Sequence, residues 1–320
     1  MKLGSVLITG GSGYLGRALA RRLLETDASH RICIFSRGEH AQAAMREEFG
    51  NDSRLRFFVG DVRERSRLVR AFDSVSLVIH AAALKRIEVG AYNPLEMVRT
   101  NVDGTINVIE AAQDAGVGKV LFVSSDKAYQ PISPYGQSKA LAEALVLAAQ
   151  HTVRECGPKF SAVRYGNVWC STGSVVPKWR AAAEGGNRPT MTNPKCTRFF
   201  MRRSEAVDLV LNTAANMRGG ELAIPDLPAY ELGDLAEAMG VDPEITGLPK
   251  WEKLHESMGP GHSSEHARRM TVDELRAALA EEYPVEVRDA PAIARQIEAL
   301  SCELIGVLRR GRGEAGKIAA

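Results

Sequence analysis

Short apolar runs alternate with helical patterns through the first half of the chain. Ser5–Thr9, Arg31–Phe35, Leu55–Val59, Ser76–His80, Lys119–Ser124 and Phe160–Arg164 read as strands. The stretches between them, Tyr14–Glu25, Glu39–Phe49, Arg65–Phe72, Pro94–Ala115 and Pro134–Glu155, carry apolar positions three and four residues apart and read as helices. This alternation with short connectors predicts an α/β fold built on a doubly wound parallel sheet. Nearly continuous apolar strands such as Leu77-Val78-Ile79 suit a sheet covered on both faces. After about residue 166 the rhythm breaks down, with Gly173, Gly185, Gly186, Pro189 and Pro194 marking loops before helical patterns return at Ser204–Met217 and Leu232–Met239. Gly259–Ser264 reads as a flexible stretch, and Pro291–Arg310 as a helix whose apolar stripe is core or an oligomer seam. The expected organisation is a sheet domain over 1–166, a smaller lobe over 167–258 interleaved with the last strands, and a helical extension over 259–320.

The turn after the first strand carries chemistry. Thr9-Gly10-Gly11-Ser12-Gly13-Tyr14-Leu15-Gly16 joins a strand to a helix and spaces Gly10, Gly13 and Gly16 three apart. In a dinucleotide fingerprint the first glycine permits the turn, the second lets backbone approach a pyrophosphate, and the third lets helix and strand pack closely. A glycine-rich loop alone is often only a turn; flanked by strand and helix, it predicts a Rossmann dinucleotide site. After the second strand, where NAD binders carry a carboxylate, this chain has Phe35-Ser36-Arg37 and no acid until Glu39. A hydroxyl beside a guanidinium suits a 2′-phosphate, so NADP is the expected cofactor, although Arg37 also reads as a solvated surface charge. Asp61, beside Val62 after the third strand, is a candidate acceptor for the adenine amino group. The small residues Ala81, Ala82 and Ala83 after the fourth strand would let a cofactor lie against the backbone, while His80 reads as a packed strand-end histidine.

Tyr135 and Lys139 stand one helical turn apart on one face. A neighbouring cation lowers a phenol's pKa, so Tyr135 is a candidate to exchange a proton with a sugar hydroxyl, with Lys139 also holding a nicotinamide ribose. With Ser125 at the end of the fifth strand, these residues resemble the short-chain dehydrogenase/reductase superfamily, and Asn101 stands where that superfamily often has an Asn at the cofactor site. The long second half points to the extended, nucleotide-sugar branch. Asp126 and Lys127 directly follow Ser125 and add an acid and an amine, which an elimination needs and a simple epimerisation does not. In isolation, Asp-Lys is a common surface turn.

Several segments are similar to the inverting UDP-N-acetylglucosamine 4,6-dehydratases, which make precursors of modified sugars for bacterial surface glycans. They include Arg56–Arg63, Ala81–Lys85, Tyr92–Glu96, Thr100-Asn101, Ser125–Ala128, Val163–Val168, Gly173–Pro177, Thr197–Phe199 and Glu252–Glu256, within residues 4–258. The resemblance implies that Asp126 serves as acid, Lys127 as base and Tyr135 in hydride transfer. It also implies that Lys85, Asn167 and Arg198, with Ser174, Val175 and Glu256 in the same motifs, line a UDP-sugar pocket. Large membrane-bound retaining relatives commonly have Met at the position of Tyr135. Where the family has an Arg-Pro-Gly lead before Glu252 to grip a diphosphate, this chain has Leu248-Pro249-Lys250-Trp251, with Lys250 as a substitute charge. A 4-epimerase or reductase of the superfamily, with Asp126 and Lys127 as bystanders, and a catalytically silent NADP-binding regulator are the alternative readings.

Composition adds boundaries. The 320 residues are 45% hydrophobic, enough for one large α/β unit or two joined domains, and 41 Lys+Arg against 39 Asp+Glu leave +2, giving no sign of a nucleic-acid surface. No apolar stretch approaches the roughly 20 residues that cross a bilayer, and Val6-Leu7-Ile8 has no basic-then-apolar leader before it. Cys33, Cys156, Cys170, Cys196 and Cys302 lack metal or redox spacing and read as reduced and structural, so no metal site is expected. We expect a cytoplasmic homo-oligomer without membrane or nucleic-acid partners.

Overall fold

All six apolar runs are strands of one sheet in the computed structural model, which describes residues 2–153 and 157–283. The first half runs β1 (Gly4–Thr9), α1 (Tyr14–Glu25), β2 (Ser29–Ser36), α2 (Glu39–Glu48), β3 (Leu55–Val59), α3 (Arg65–Ala71) and β4 (Leu77–His80). It continues through α4 (Ile87–Tyr92), α5 (Pro94–Met97), a π-helical turn (Val98–Asp103), α6 (Gly104–Asp114), β5 (Lys119–Val123), a 3₁₀ turn (Asp126–Ala128), α7 (Pro134–Thr152) and β6 (Lys159–Val163). Then come α8 (Val175–Glu184), β7 (Thr190–Met191), β8 (Thr197–Phe199), α9 (Arg203–Asn216), β9 (Leu222–Ala223), β10 (Ala229–Glu231), α10 (Leu232–Met239), β11 (Glu244–Ile245), β12 (Ser257–Gly259), β13 (His262–Ser263) and α11 (Val272–Glu282).

The central sheet is wholly parallel, in the order β3-β2-β1-β4-β5-β6-β9. Side chains alternate across it, so each strand feeds two cores. Val6, Ile8, Ile32, Ile34, Ile79 and Leu121 meet the α1 and α9 side, while Leu7, Cys33, Phe35, Val78, Phe122 and Phe160 meet the α3, α6 and α7 side. That burial on both faces is why these strands are apolar throughout. Strand order reverses between β1 and β4, and the crevice beyond their carboxyl ends is where such sheets bind ligands.

The second half is interleaved with the first. β9 returns to the sheet beside β6, and α9 packs on α1. β8 pairs with β10, and β7 with β11. The compact unit extends to Val272, so the expected break after residue 258 falls inside it, and a second unit begins at Asp273, of which the structure describes the helix α11. Gly259–Ser264 is not a loose stretch: β12 and β13 form a hairpin, and the fully buried Ser264 hydroxyl bonds the Thr197 hydroxyl at 2.6 Å and accepts from Glu256 N at 2.8 Å. The expected helix Pro94–Ala115 is one helical segment with a π turn inside it. Pro291–Arg310, Cys156, Cys302 and the last residues of Pro134–Glu155 lie outside the described residues. Cys33, Cys170 and Cys196 are buried. No described helix is long and apolar enough to cross a membrane.

Candidate active site

The carboxyl ends of the central strands open into a cavity of about 1120 Å³. At one end lies the turn after β1. Gly10 has φ +68°, and a Cβ there would stand 3.0 Å from the Ala82 backbone, so only glycine lets the turn pass this close to the β4 end. A Cβ on Gly16 would run into the backbone of Gly11, which makes Gly16 the helix-packing glycine. Gly13 caps α1 without a side-chain hydrogen bond, and no acid lies in the first helical turn, so the helix N-terminus stays favourable to an anion. These features fit a dinucleotide pyrophosphate. Beyond β2, Ser12 Oγ donates to Ser36 Oγ (2.9 Å), and Gln42 Nε2 donates to Ser36 Oγ (2.9 Å), fixing the hydroxyl beside Arg37. Asp61 reaches the wall, but Arg63 engages both its oxygens; despite partial burial this holds its carboxyl below the usual range.

Of the catalytic, cofactor and substrate candidates singled out from sequence, all but Asn101, Asp126 and Lys250 reach the cavity wall. Asn101, on the π turn, is buried and its amide is fully used: Oδ1 accepts from Leu84 N (2.8 Å), and Nδ2 donates to Leu84 O (2.9 Å) and Ser138 Oγ (2.9 Å). It therefore fastens the segment leaving β4 to α7 and does not line the cavity. His80 is the packed histidine expected, bonded to Thr9 Oγ1 (2.7 Å) and Thr105 Oγ1 (3.0 Å), with burial and then Lys139 lowering its pKa to about 3.

The reactive end is built on β5 and α7. Ser125 caps the 3₁₀ turn that carries Asp126 and Lys127, and Ser133 with Pro134 starts α7 one residue before Tyr135. The Ser125 side chain hydrogen-bonds Tyr135 and donates to Asp126 Oδ1 (2.9 Å). Lys127 Nζ lies 3.2 Å from Asp126 and 3.1 Å from Glu256. Tyr135 differs from expectation. Burial pushes its phenol above the ordinary value, and the cation that opposes this is Lys127, not Lys139. Lys139 donates to Val123 O (2.6 Å) and lies 3.9 Å from the centroid of the Phe122 ring, with burial bringing its pKa to about 7 against the pull of Glu143.

On the opposite wall Arg198 is buried, paired with Glu252 and donating to Thr197 O (2.7 Å). Lys85, whose pKa burial lowers, and Asn167, Ser174 and Val175 complete this side; the Ser174 hydroxyl is buried without a protein partner. Lys250 does not reach the wall. Four further cations on the wall, Arg86, Lys178, Arg188 and Lys253, were missed by sequence reasoning. Lys253 lay inside the quoted Glu252–Glu256 motif; the others carry no local signal. Among the described residues no cluster of His, Cys, Asp and Glu is arranged to hold a metal ion.

Fold and site together are those of an extended short-chain dehydrogenase/reductase. The chain belongs to the family described as polysaccharide biosynthesis protein, whose model matches residues 6–276. A Campylobacter jejuni protein named UDP-N-acetylglucosamine 4,6-dehydratase (inverting) is 40% identical over 257 residues, 79% of this chain and 77% of its own. A Rickettsia akari protein named UDP-glucose 4-epimerase is 39% identical over 273 residues, 84% of this chain and 78% of its own. Among solved structures, Pen from Bacillus thuringiensis superimposes with a TM-score of 0.83 at 30% identity, covering 88% of this chain and 98% of that one. DesIV, a dTDP-glucose 4,6-dehydratase from Streptomyces venezuelae solved with NAD, has the same fold, with a TM-score of 0.72 at 24% identity over 78% of this chain and 86% of its own.

Proposed function

We propose that the protein is an NADP-dependent UDP-N-acetylglucosamine 4,6-dehydratase that inverts C5, acting in the cytoplasm as a homo-oligomer in bacterial surface-glycan biosynthesis. The observation that carries the reading is the placement of Asp126 and Lys127 immediately beside Ser125 and Tyr135 at the carboxyl end of β5. An acid and an amine at that point serve loss of water. Ser36 and Arg37 at the end of β2 support NADP over NAD, because forked guanidinium bonds suit a phosphate. A nicotinamide held by the glycine-rich turn, Tyr135 and Lys139 would supply the reversible hydride chemistry that oxidation at sugar C4 and reduction at C6 call for. Tyr135 takes the proton of the 4-hydroxyl, with Ser125 beside it to orient that oxygen. The ketone acidifies C5–H; Lys127 takes that proton, and Asp126 gives one to the departing 6-hydroxyl. Arg198, Asn167 and Lys85 bind the sugar nucleotide.

The second reading, a 4-epimerase, is favoured by the relatives of that name at similar identity, but it leaves the Asp126–Lys127 pair without a task. Incubation with a panel of nucleotide sugars in deuterated water, read by mass spectrometry and NMR, separates the two. Loss of water with deuterium at an inverted C5 is the expected result. A product that keeps all its oxygens refutes the dehydratase reading.

A further inference from the structure

The functional reading above asks Lys127 to act uncharged and Asp126 to act protonated. The structure places the amine between two carboxylates. Lys127 Nζ is 3.2 Å from both Asp126 oxygens and 3.1 Å from Glu256 Oε1, and both acids are almost wholly buried. Asp126 is fixed from behind, its N–H donating to Tyr165 O at 2.9 Å. The second Glu256 oxygen, Oε2, is buried with no protein partner, on a residue that lines the cavity. The titratable and charged groups that act with Lys127 are Asp126 on its own turn, Tyr135 on α7, Arg198 on β8, Tyr230 on β10, and Lys253 and Glu256 before β12. Burial disfavours the ammonium, but Asp126 and Glu256 override it and hold Lys127 above the ordinary lysine range. Burial, and then the charge of Glu256 against the pull of Lys127, keep the Asp126 carboxyl above its ordinary range.

We propose that Asp126, Lys127 and Glu256 form one unit sharing a single proton, with Glu256 as the positioning residue, and that one internal transfer from Lys127 to Asp126 creates base and acid together. This rests on the dehydratase reading. The resting unit is carboxylate, ammonium, carboxylate. Breaking one N–H bond at Nζ and forming one O–H bond at Asp126 yields the amine and the carboxylic acid, with Glu256 unchanged. In the elimination Lys127 gains the C5 proton, the C5–H electron pair becomes the C5–C6 π bond, and the C6–O pair leaves with the hydroxyl. That hydroxyl takes the Asp126 proton and departs as water. The unit is then back in its resting form without exchanging a proton with solvent. A sugar hydroxyl or amide N–H donating to Glu256 Oε2 draws charge from Lys127 and favours the transfer, which couples it to substrate binding.

The pH dependence of single-turnover dehydration by the whole enzyme tests this. The internal transfer conserves the proton count, so the wild-type rate should be flat between roughly pH 7 and 9, where a lysine acting alone as base, with no protonated Asp126 required, gives about tenfold per unit. Glu256→Gln removes a negative charge in contact with Lys127 and should move both edges of the plateau to lower pH by roughly one to three units. Glu256→Asp should restore them. A tenfold-per-unit rise in the wild type over that window overturns the shared proton, whether or not the variants fold. A Glu256→Gln enzyme with raised KM and unmoved edges overturns the role of Glu256. A wild type that dehydrates no nucleotide sugar overturns the dehydratase reading instead, and this inference with it.

Discussion

Glu143 and Arg164 form an ion pair beneath the active site, and Glu143→Gln measures what it holds together. Arg164 at the end of β6 donates Nε to Glu143 Oε2 (3.0 Å) and a second N–H to Oε1, a forked arrangement with side chains only 10% and 7% exposed. Its remaining arm donates to Met258 O at 2.6 Å, two residues beyond Glu256. Glu143 lies one turn past Lys139 on α7, so the pair ties the helix of Tyr135 and Lys139 to the hairpin next to Glu256. Glu143→Gln keeps the shape and leaves a buried guanidinium without its counter-charge, a change that costs about 3–5 kcal/mol. Against a total stability of roughly 5–15 kcal/mol this is a large fraction, and at about 2–4 °C per kcal/mol it lowers Tm by roughly 6–20 °C. Urea denaturation followed by far-UV circular dichroism and by the fluorescence of Trp169, Trp179 and Trp251 measures it, with m unchanged. The double variant Glu143→Met/Arg164→Leu should recover most of the loss, since replacing both charges by apolar groups is often near neutral. A loss below about 1 kcal/mol in Glu143→Gln would show that water reaches the guanidinium and that the pair does not anchor the helix.

Three other outcomes follow from the site. Arg37→Ala should weaken NADP binding far more than NAD binding, measured by titration calorimetry; equal binding of both by the wild type contradicts the 2′-phosphate reading. Asp126→Asn keeps the side-chain shape and should cost on the order of 10²–10⁴ in dehydration rate with cofactor affinity unchanged, so near-normal product formation returns Asp126 and Lys127 to an ordinary turn. His80 is held neutral, with its pKa lowered from 6.5 to about 3. The unfolded chain therefore binds more protons in that window, and stability falls as pH drops from about 6.5 toward 3, by up to on the order of 5 kcal/mol. His80→Asn should flatten that slope in denaturation series at successive pH values, and an unchanged slope assigns acid sensitivity elsewhere.

Local chemistry made the frame legible. Six strands and the glycine-rich turn announce themselves through apolar runs and glycine spacing, because a sheet buried on both faces demands the one and a close backbone approach at Gly10 demands the other. Two helices were hidden. α8 contains Pro177 and stands between Gly173 and Gly185, which reads as loop, yet Pro177 is the third helical residue, where the missing N–H costs no hydrogen bond. α4 has six residues including Gly90, too few for a helical period to show. The site was legible as a set of residues and not as a set of partnerships. A spacing of four rightly put Tyr135 and Lys139 on one face of α7, yet the spacing says nothing of what else that face touches. Phe122 and the Val123 carbonyl take up the Lys139 ammonium from the strand beneath, and the cation acting on the phenol is Lys127, carried in on a turn from β5. Glu256 is held beside Lys127 by the buried Ser264 hydroxyl, which accepts its N–H and is itself bonded to Thr197 on β8. Those bonds join separate segments, the Thr197–Ser264 and Lys127–Glu256 contacts across long stretches of sequence, and none has a period or a composition of its own. The charge states on which the chemistry depends are therefore set by tertiary packing, while the residue types that make the chemistry possible are set by the motif.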